Sequence, residues 1–321
     1  MAVLTAMTDD DARALLAAYG LGPLAALVGL TAGSVNSNFA VDLDGRRLFL
    51  RVYEERDRPG AVSETAMVER LAGAGVPTPA PLRRMDGGLV SDMRGKAAAL
   101  FPWRPGSMRC QASVTVDDAS QLGEALARVH VAGAGEARDP SRFRFEDLSA
   151  RLDRIAATGD LRFTPIVPSL RDALATAHAA RDAALPRGLI HGDLFRDNVL
   201  WEGPRLAALL DFESASDGTF AYDLMVTILA WCVGDDLDAR LARALCGGYE
   251  RVRPLERREW DGLAAEGAFA ALRFAVTRIT DFAMRATPGG APPAKDWRRF
   301  MMRFDKLRAL GTAGLTGALG R

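Results

Sequence analysis

His191, Asp193 and Asn198 stand in an H-x-D-x-x-x-x-N spacing within Gly188-Leu-Ile-His-Gly-Asp-Leu-Phe-Arg-Asp-Asn-Val-Leu-Trp201, and Asp211 closes the next apolar run ahead of Phe212 and Glu213. These residue types suit phosphoryl transfer. That reaction needs little covalent help, so a protein must position the attacking hydroxyl and neutralise the phosphates. A loop carboxylate, Asp193, can accept the hydroxyl proton. The amide oxygen of Asn198 and the carboxylate of Asp211 are hard donors of the kind that hold magnesium. His191 belongs to the same catalytic set, where a neutral imidazole is expected to brace the loop rather than to move a proton.

A second cluster draws on the other two of the three Asn in the chain. Asn36 and Asn38 lie in Thr31-Ala-Gly-Ser-Val-Asn-Ser-Asn38, between apolar runs. Strand, small-residue turn and strand form the layout of a hairpin that covers phosphates, with Ser34, Asn36, Ser37 and Asn38 as nucleotide-binding candidates; an ordinary hairpin turn uses the same residues. The next strand, Arg47-Leu-Phe-Leu-Arg-Val-Tyr53, is expected to supply a cation for the α- and β-phosphates. The three Lys, Lys96, Lys295 and Lys306, all lie elsewhere, so Arg51 takes that place. Glu64, spaced four and seven residues from Val68 and Leu71 on one helix face, is its expected partner. Ala97-Ala-Ala-Leu-Phe-Pro-Trp-Arg-Pro-Gly106 runs from an apolar strand into a Pro- and Gly-punctuated turn, a hinge whose exposed backbone N–H and C=O groups would bind an adenine edge, with Phe101 and Trp103 as its local residues.

With 321 residues the chain can bury a substantial core, and its formal net charge of +0 argues against a nucleic-acid or anionic-membrane partner. The N-terminus is acidic where a secretory signal would be basic, and the apolar run 224–233 is too short to span a bilayer. Cys110, Cys232 and Cys246 are odd in number and widely spaced, which suggests neither a disulfide frame nor a zinc site and points to a reducing compartment, the cytoplasm.

Periodicity changes character near residue 103. Ahead of it come short β-type runs at 25–30, 39–43, 47–53 and 97–102, with a helical stretch at 60–74. Beyond it the pattern is helical at 117–134, 145–157, 169–184, 220–232, 237–251, 256–286 and 297–309, broken by β-type runs at 188–191, 198–201 and 205–210 around the catalytic loop. The expected fold class is α+β: a bilobal protein-kinase-like fold. Residues 1–102 would form a small β-rich lobe over the nucleotide, and residues 103–321 a large, mainly helical lobe for catalysis and substrate. His130 and Asp223 are expected to be structural, Asp223 as an anchor for the catalytic loop, and His178 a solvated helix residue.

With these residues placed, the chain resembles the aminoglycoside phosphotransferase and choline kinase superfamily, and within it most closely the type II homoserine kinases. The resemblance rests on the loop motifs above together with Met1-Ala-Val-Leu-Thr5, Ala32-Gly-x-x-Asn-x-Asn38, Gly75-Val-Pro-Thr-Pro79, Gly95-Lys-Ala-Ala-Ala-Leu100, Leu122-Gly-Glu-Ala-Leu-Ala-Arg-Val-His130, Tyr222-Asp-Leu224, Trp231-Cys232, and Leu272-Arg-Phe274 with Arg278. It implies ATP and magnesium as cofactors, and phosphorylation of the side-chain hydroxyl of L-homoserine on the way to threonine. The pattern is broken at Glu213, where the family has an aromatic residue, and at Leu229-Ala230, where it has Asn-Asp. A homoserine pocket must pair a carboxylate, for which Arg273 and Arg278 are candidates, with Trp231 as a wall and Glu213 nearby; a pocket for an aminoglycoside, choline or amino sugar needs acidic or aromatic groups instead. A nucleotide-binding pseudoenzyme is the reading from another class, prompted by the absent strand Lys.

Overall fold

A computed structural model describes residues 4–31, 35–135, 139–285 and 295–321. In chain order its elements begin with helix α1 (Asp9–Ala18), strands β1 (Leu24–Leu30), β2 (Ser37–Leu43) and β3 (Arg46–Val52), helix α2 (Arg58–Gly73), and strands β4 (Ser91–Met93) and β5 (Lys96–Pro102). Helices α3 (Val116–Ala132), α4 (Phe145–Ala157) and α5 (Val167–Ala179) follow. Next come strands β6 (Arg187–Ile190), β7 (Val199–Glu202), β8 (Arg205–Leu209) and β9 (Ser216–Thr219), then helices α6 (Phe220–Trp231), α7 (Ala239–Val252), α8 (Arg257–Asp281) and α9 (Arg298–Leu319). They group into two compact units, one of Met1–Ser107 with Val199–Glu213, the other of Met108–Asn198 with Ser214–Arg321.

The first unit is built on one antiparallel sheet in the order β1-β2-β3-β5-β4. Period-two alternation in β3 does the sorting. Leu48, Leu50 and Val52 are fully buried in a cluster with Leu15 and Leu16 of α1, while Phe49 and Arg51 take the opposite face. Thr8 and Asp11 form a capping box that starts α1. Asp57 caps α2 by accepting from the Gly60 amide. The β7-β8 hairpin joins this unit through backbone pairing: Ser107 and Trp201 exchange two hydrogen bonds at 2.9 Å, and the Leu209 amide donates to the Pro77 carbonyl at 2.6 Å.

The second unit is helical apart from the β6-β9 pair. Every residue of α6 is buried, as its unbroken apolar run requires. Helices α3 and α7 approach so closely that a Cβ on Gly123 would stand 2.0 Å from the Leu245 carbonyl oxygen. Several ends differ from the periodicity. The fifth helix stops at Ala179, and α8 ends at Asp281 in a 3-10 turn at Ala283–Arg285. By contrast α9 runs on to Leu319 across a break at Gly311, whose φ of 59° is not helical. Helix α1 is not among the helices expected from the sequence, although Ala12, Leu15 and Leu16 are buried at helical spacing behind its capping box, whereas strands β4 and β9 are too short to carry a period.

Candidate functional site

In the second unit, strand β6 delivers His191-Gly192-Asp193, and the start of α6 holds that turn in place. The Asp223 carboxylate accepts the His191 amide at 2.7 Å and the Gly192 amide at 2.8 Å. Its Oδ2 also meets Nε2 of His130 at 3.0 Å, and Nδ1 of His130 meets the Tyr249 hydroxyl at 2.7 Å. All of this is buried; His130 stacks on Phe220, 4.6 Å between ring centres. Burial alone pushes the Asp223 carboxyl up, yet the bonds from His130 and the Gly192 amide outweigh it and hold the group below the ordinary aspartate range. Burial likewise pushes His130 below the ordinary histidine value. Asp223 and His130 thus stand in the structural roles expected of them.

Gly192 is there for a steric reason. Its φ is +75°, and a Cβ would stand 2.8 Å from the Ser214 carbonyl oxygen. His191 is fully buried, and its Nδ1 lies 3.4 Å from the Asp193 amide. The Asp193 side chain is one-third exposed, with Nη1 of Arg273 3.3 Å from its Oδ1. The Arg273 guanidinium is sandwiched between the rings of Phe143 and Phe274, at 3.9 and 3.8 Å, and also donates to the Gly192 carbonyl. Arg273 therefore meets the carboxylate of this chain's own loop. Nδ2 of Asn198 donates to the Asp193 carbonyl at 2.8 Å, which fixes the amide and leaves its oxygen for another partner. Trp231, expected as a pocket wall, is fully buried, and its indole N–H donates to the Leu194 carbonyl at 2.9 Å. Arg278 is half-buried over Phe195 and Phe300 and donates to the Asp296 carbonyl; burial pushes its guanidinium down to about 10.

The first unit gathers Arg51, Glu64, Phe101, Trp103 and Asp211 around a cavity of about 220 Å³. Leu30, Phe49, Phe101 and Leu200 give it apolar walls, Trp103 lines it, and Arg51, Glu64 and Asp211 supply its charges. Nη1 of Arg51 lies 3.3 Å from Asp211 and 3.6 Å from Glu64. Burial disfavours the Arg51 charge, but those two carboxylates more than offset it and hold the guanidinium firmly protonated. Glu64 has a second cation, Nε of Arg56 at 3.0 Å, and the Tyr53 hydroxyl donates to it. Sequence reasoning missed Arg56 and Tyr53, since neither has a periodic relation to α2. Asp211 adopts φ +60°, a left-handed conformation unusual outside glycine.

The phosphate-hairpin candidates divide. Asn36 bridges two segments, accepting from the Glu54 amide at 3.2 Å and donating to the Glu213 carboxylate at 3.4 Å. Glu213 is thereby placed beside the hairpin strand, with Arg56 donating to its carbonyl at 2.6 Å. Ser37 is buried and committed to the fold: its hydroxyl donates to Glu54 and accepts the amides of Leu4 and Thr5. Asn38 is buried opposite Arg51 in the β2-β3 register. Ser34 lies outside the described residues.

This chain is similar to known proteins over most of its length. It is 35% identical over 288 residues to homoserine kinase of Acidiphilium cryptum, covering 88% of this chain and 89% of that relative. Homoserine kinase of a Caulobacter species is 36% identical over 300 residues, covering 91% of each. Among solved structures, amicoumacin kinase in complex with AMP-PNP, Ca2+ and Ami superposes with a TM-score of 0.71 at 15% identity, over 94% of this chain and 93% of that one, which shows a shared kinase-like fold. A model of the phosphotransferase enzyme family matches residues 26–255, the span from strand β1 through the catalytic loop to the end of α7, and the chain belongs to that family.

Proposed function

We propose that this chain is a small-molecule kinase that transfers the γ-phosphoryl group of ATP to the side-chain hydroxyl of L-homoserine. The observation that carries the reaction type is the geometry of the His191-Gly192-Asp193 turn. Asp223 binds its amides and Arg273 its base, so a partly exposed carboxylate stands pre-oriented on a rigid loop. Asp193 accepts the hydroxyl proton as the oxygen attacks the γ-phosphorus, and ADP leaves. His191 and Asn198 fix the backbone around it.

The cavity lined by Phe49, Phe101 and Trp103 has the apolar width for an adenine ring, and its charged end, Arg51 with Glu64 and Asp211, suits phosphates. Asn36, and Ser34 with it, would approach the phosphates; Ser37 and Asn38 would shape the hairpin beneath. Among the described residues no three or more His, Cys, Asp or Glu side chains form a ready-made metal cage. Magnesium is commonly held by one or two protein oxygens plus phosphates and water. Asn198, with its amide oxygen uncommitted, and Asp211 are each proposed as ligands. When bound, the ion would neutralise charge that develops on the phosphates.

The two curated relatives support L-homoserine, with Arg278 the remaining candidate for its carboxylate and Glu213 for its environment. Residues 1–102 would serve the nucleotide, and 103–321 catalysis and acceptor binding. Among the described residues no helix is long and apolar enough to cross a membrane, and the three cysteines are free thiols, which suits a reducing cytoplasm. A coupled ADP-release assay across L-homoserine, choline, aminoglycosides and amino sugars tests the reading. Turnover with L-homoserine supports it, turnover confined to a cationic alcohol replaces the acceptor, and nucleotide binding without turnover on any of them removes the activity.

A further inference from the structure

A second cavity, of about 360 Å³, lies wholly within the helical unit. Its lining includes neither Asp193 nor Asn198, so it is not where an acceptor hydroxyl meets the base. At its floor Glu266 of α8 is fully buried. Oε2 of Glu266 takes Nε and Nη2 of Arg181, at 2.9 and 2.8 Å, whereas Oε1 meets no donor among the described residues. A buried carboxylate oxygen without a donor is costly, and such a group calls for a partner. The Arg181 guanidinium lies 4.3 Å from the centre of the Phe269 ring and 5.8 Å from that of Tyr222, and both rings line the cavity. Its Nη1 makes no hydrogen bond among the described residues.

The other charges around the cavity are already answered. Arg187 pairs with Asp217, and Asp182 with Arg258. What stays without a hydrogen-bond partner, among the described residues, is Oε1 of Glu266 and Nη1 of Arg181, on two residues that line the cavity beside Tyr222 and Phe269. An alkylammonium alone would satisfy Oε1 of Glu266 and leave Nη1 of Arg181 without an acceptor; a carboxylate alone would do the reverse. A molecule that carries both satisfies the two without burying net charge. We propose that this cavity is a binding site, separate from the phosphoryl-transfer site, for a small zwitterion of the α-amino-acid class, its ammonium on Glu266 and its carboxylate on Arg181.

Calorimetric titration of the full chain with L-alanine and L-valine, which have no hydroxyl to phosphorylate, tests this. Saturable binding is expected, with ethylamine and propionate each at least about ten-fold weaker, the scale of one charge-assisted hydrogen bond. Glu266→Gln and Arg181→Met should each weaken the amino acids by about ten-fold or more, while Asp193→Asn leaves them unchanged. Arg181 is partly exposed, so its variant carries the test if Glu266→Gln does not fold. The proposal falls if neither amino acid binds, if a half-molecule binds as tightly, if the two pocket variants bind like the parent, or if Asp193→Asn is the substitution that abolishes binding.

Discussion

Arg273 and Asp193 are joined at 3.3 Å, and the guanidinium that makes the contact lies over the rings of both Phe143 and Phe274, 3.9 and 3.8 Å from their centres. A cation so stacked has one orientation, and it transmits that orientation to the carboxylate. Arg273→Met should therefore lower kcat by about ten- to a hundred-fold and leave the KM for the acceptor little changed, because the loss is of base positioning rather than of uniform binding. Steady-state kinetics separate this from a role in gripping the substrate carboxylate. In that case KM would rise at nearly constant kcat.

Asp193→Asn removes the proposed proton acceptor and keeps the size of the side chain. General-base catalysis is worth about 10² to 10⁴ in rate, so turnover should fall by at least about a hundred-fold. ATP affinity should be retained, since the candidate nucleotide cavity is lined entirely by other residues. Fluorescent-nucleotide titration alongside the rate measurement checks both halves. Near-normal turnover would remove Asp193 from the role of base.

The catalytic turn and the strands behind it were legible in the sequence because their signals are local: a fixed spacing of His, Asp and Asn, and alternation in β3. Asp223 could be read as an anchor from its place at the start of an apolar helix. Arg273 and Trp231 were legible as residues near the chemistry but not in their contacts. A stacked arginine on one's own base and an indole bonded to a loop carbonyl depend on helix packing between segments 37 or more residues apart. Arg56 escaped notice for the same reason, as its pairing with Glu64 arises from the turn between β3 and α2 and has no period. The β7-β8 hairpin, placed by sequence order beyond residue 103, groups with the first unit because Ser107 and Pro77 pair with its backbone.

Gly192→Ala tests how tightly the turn is specified. A left-handed conformation costs an L-residue about 1–2 kcal/mol, and the contact with the Ser214 carbonyl at 2.8 Å adds to that because backbone must yield. A lowered midpoint in urea and a loss of turnover are expected together. An unchanged midpoint would mean that the turn relaxes freely.

The buried Asp223-His130 pair sets a pH dependence whose sign can be worked out. His130 is held below its ordinary value near 6.5, so as pH falls through that value the unfolded chain takes up a proton that the folded chain refuses. Stability is full above about pH 6.5 and declines as pH falls from there toward the lower folded value. Asp223, also held low, adds a further loss at more acid pH, as its own folded value is crossed. Urea midpoints at about pH 7.5 and pH 5 should show the decline for the parent. They should show less of it for His130→Gln, which cannot take up the proton.

Arg51→Ala addresses the nucleotide end. Its guanidinium is the group that keeps Asp211, in its left-handed conformation, and the buried Glu64 electrically compensated, with Arg56 as second partner for Glu64 alone. Removing it takes away the proposed phosphate ligand and leaves Asp211 without its cation, so the KM for ATP should rise by about ten-fold or more and kcat should fall with it. Arg51→Lys should recover part of this, because a lysine keeps the charge while losing the planar guanidinium whose Nη1 faces both carboxylates. If neither the KM for ATP nor kcat responds to Arg51→Ala, the phosphates are bound elsewhere, and Arg51 is a structural link between β3, α2 and the segment that carries Asp211.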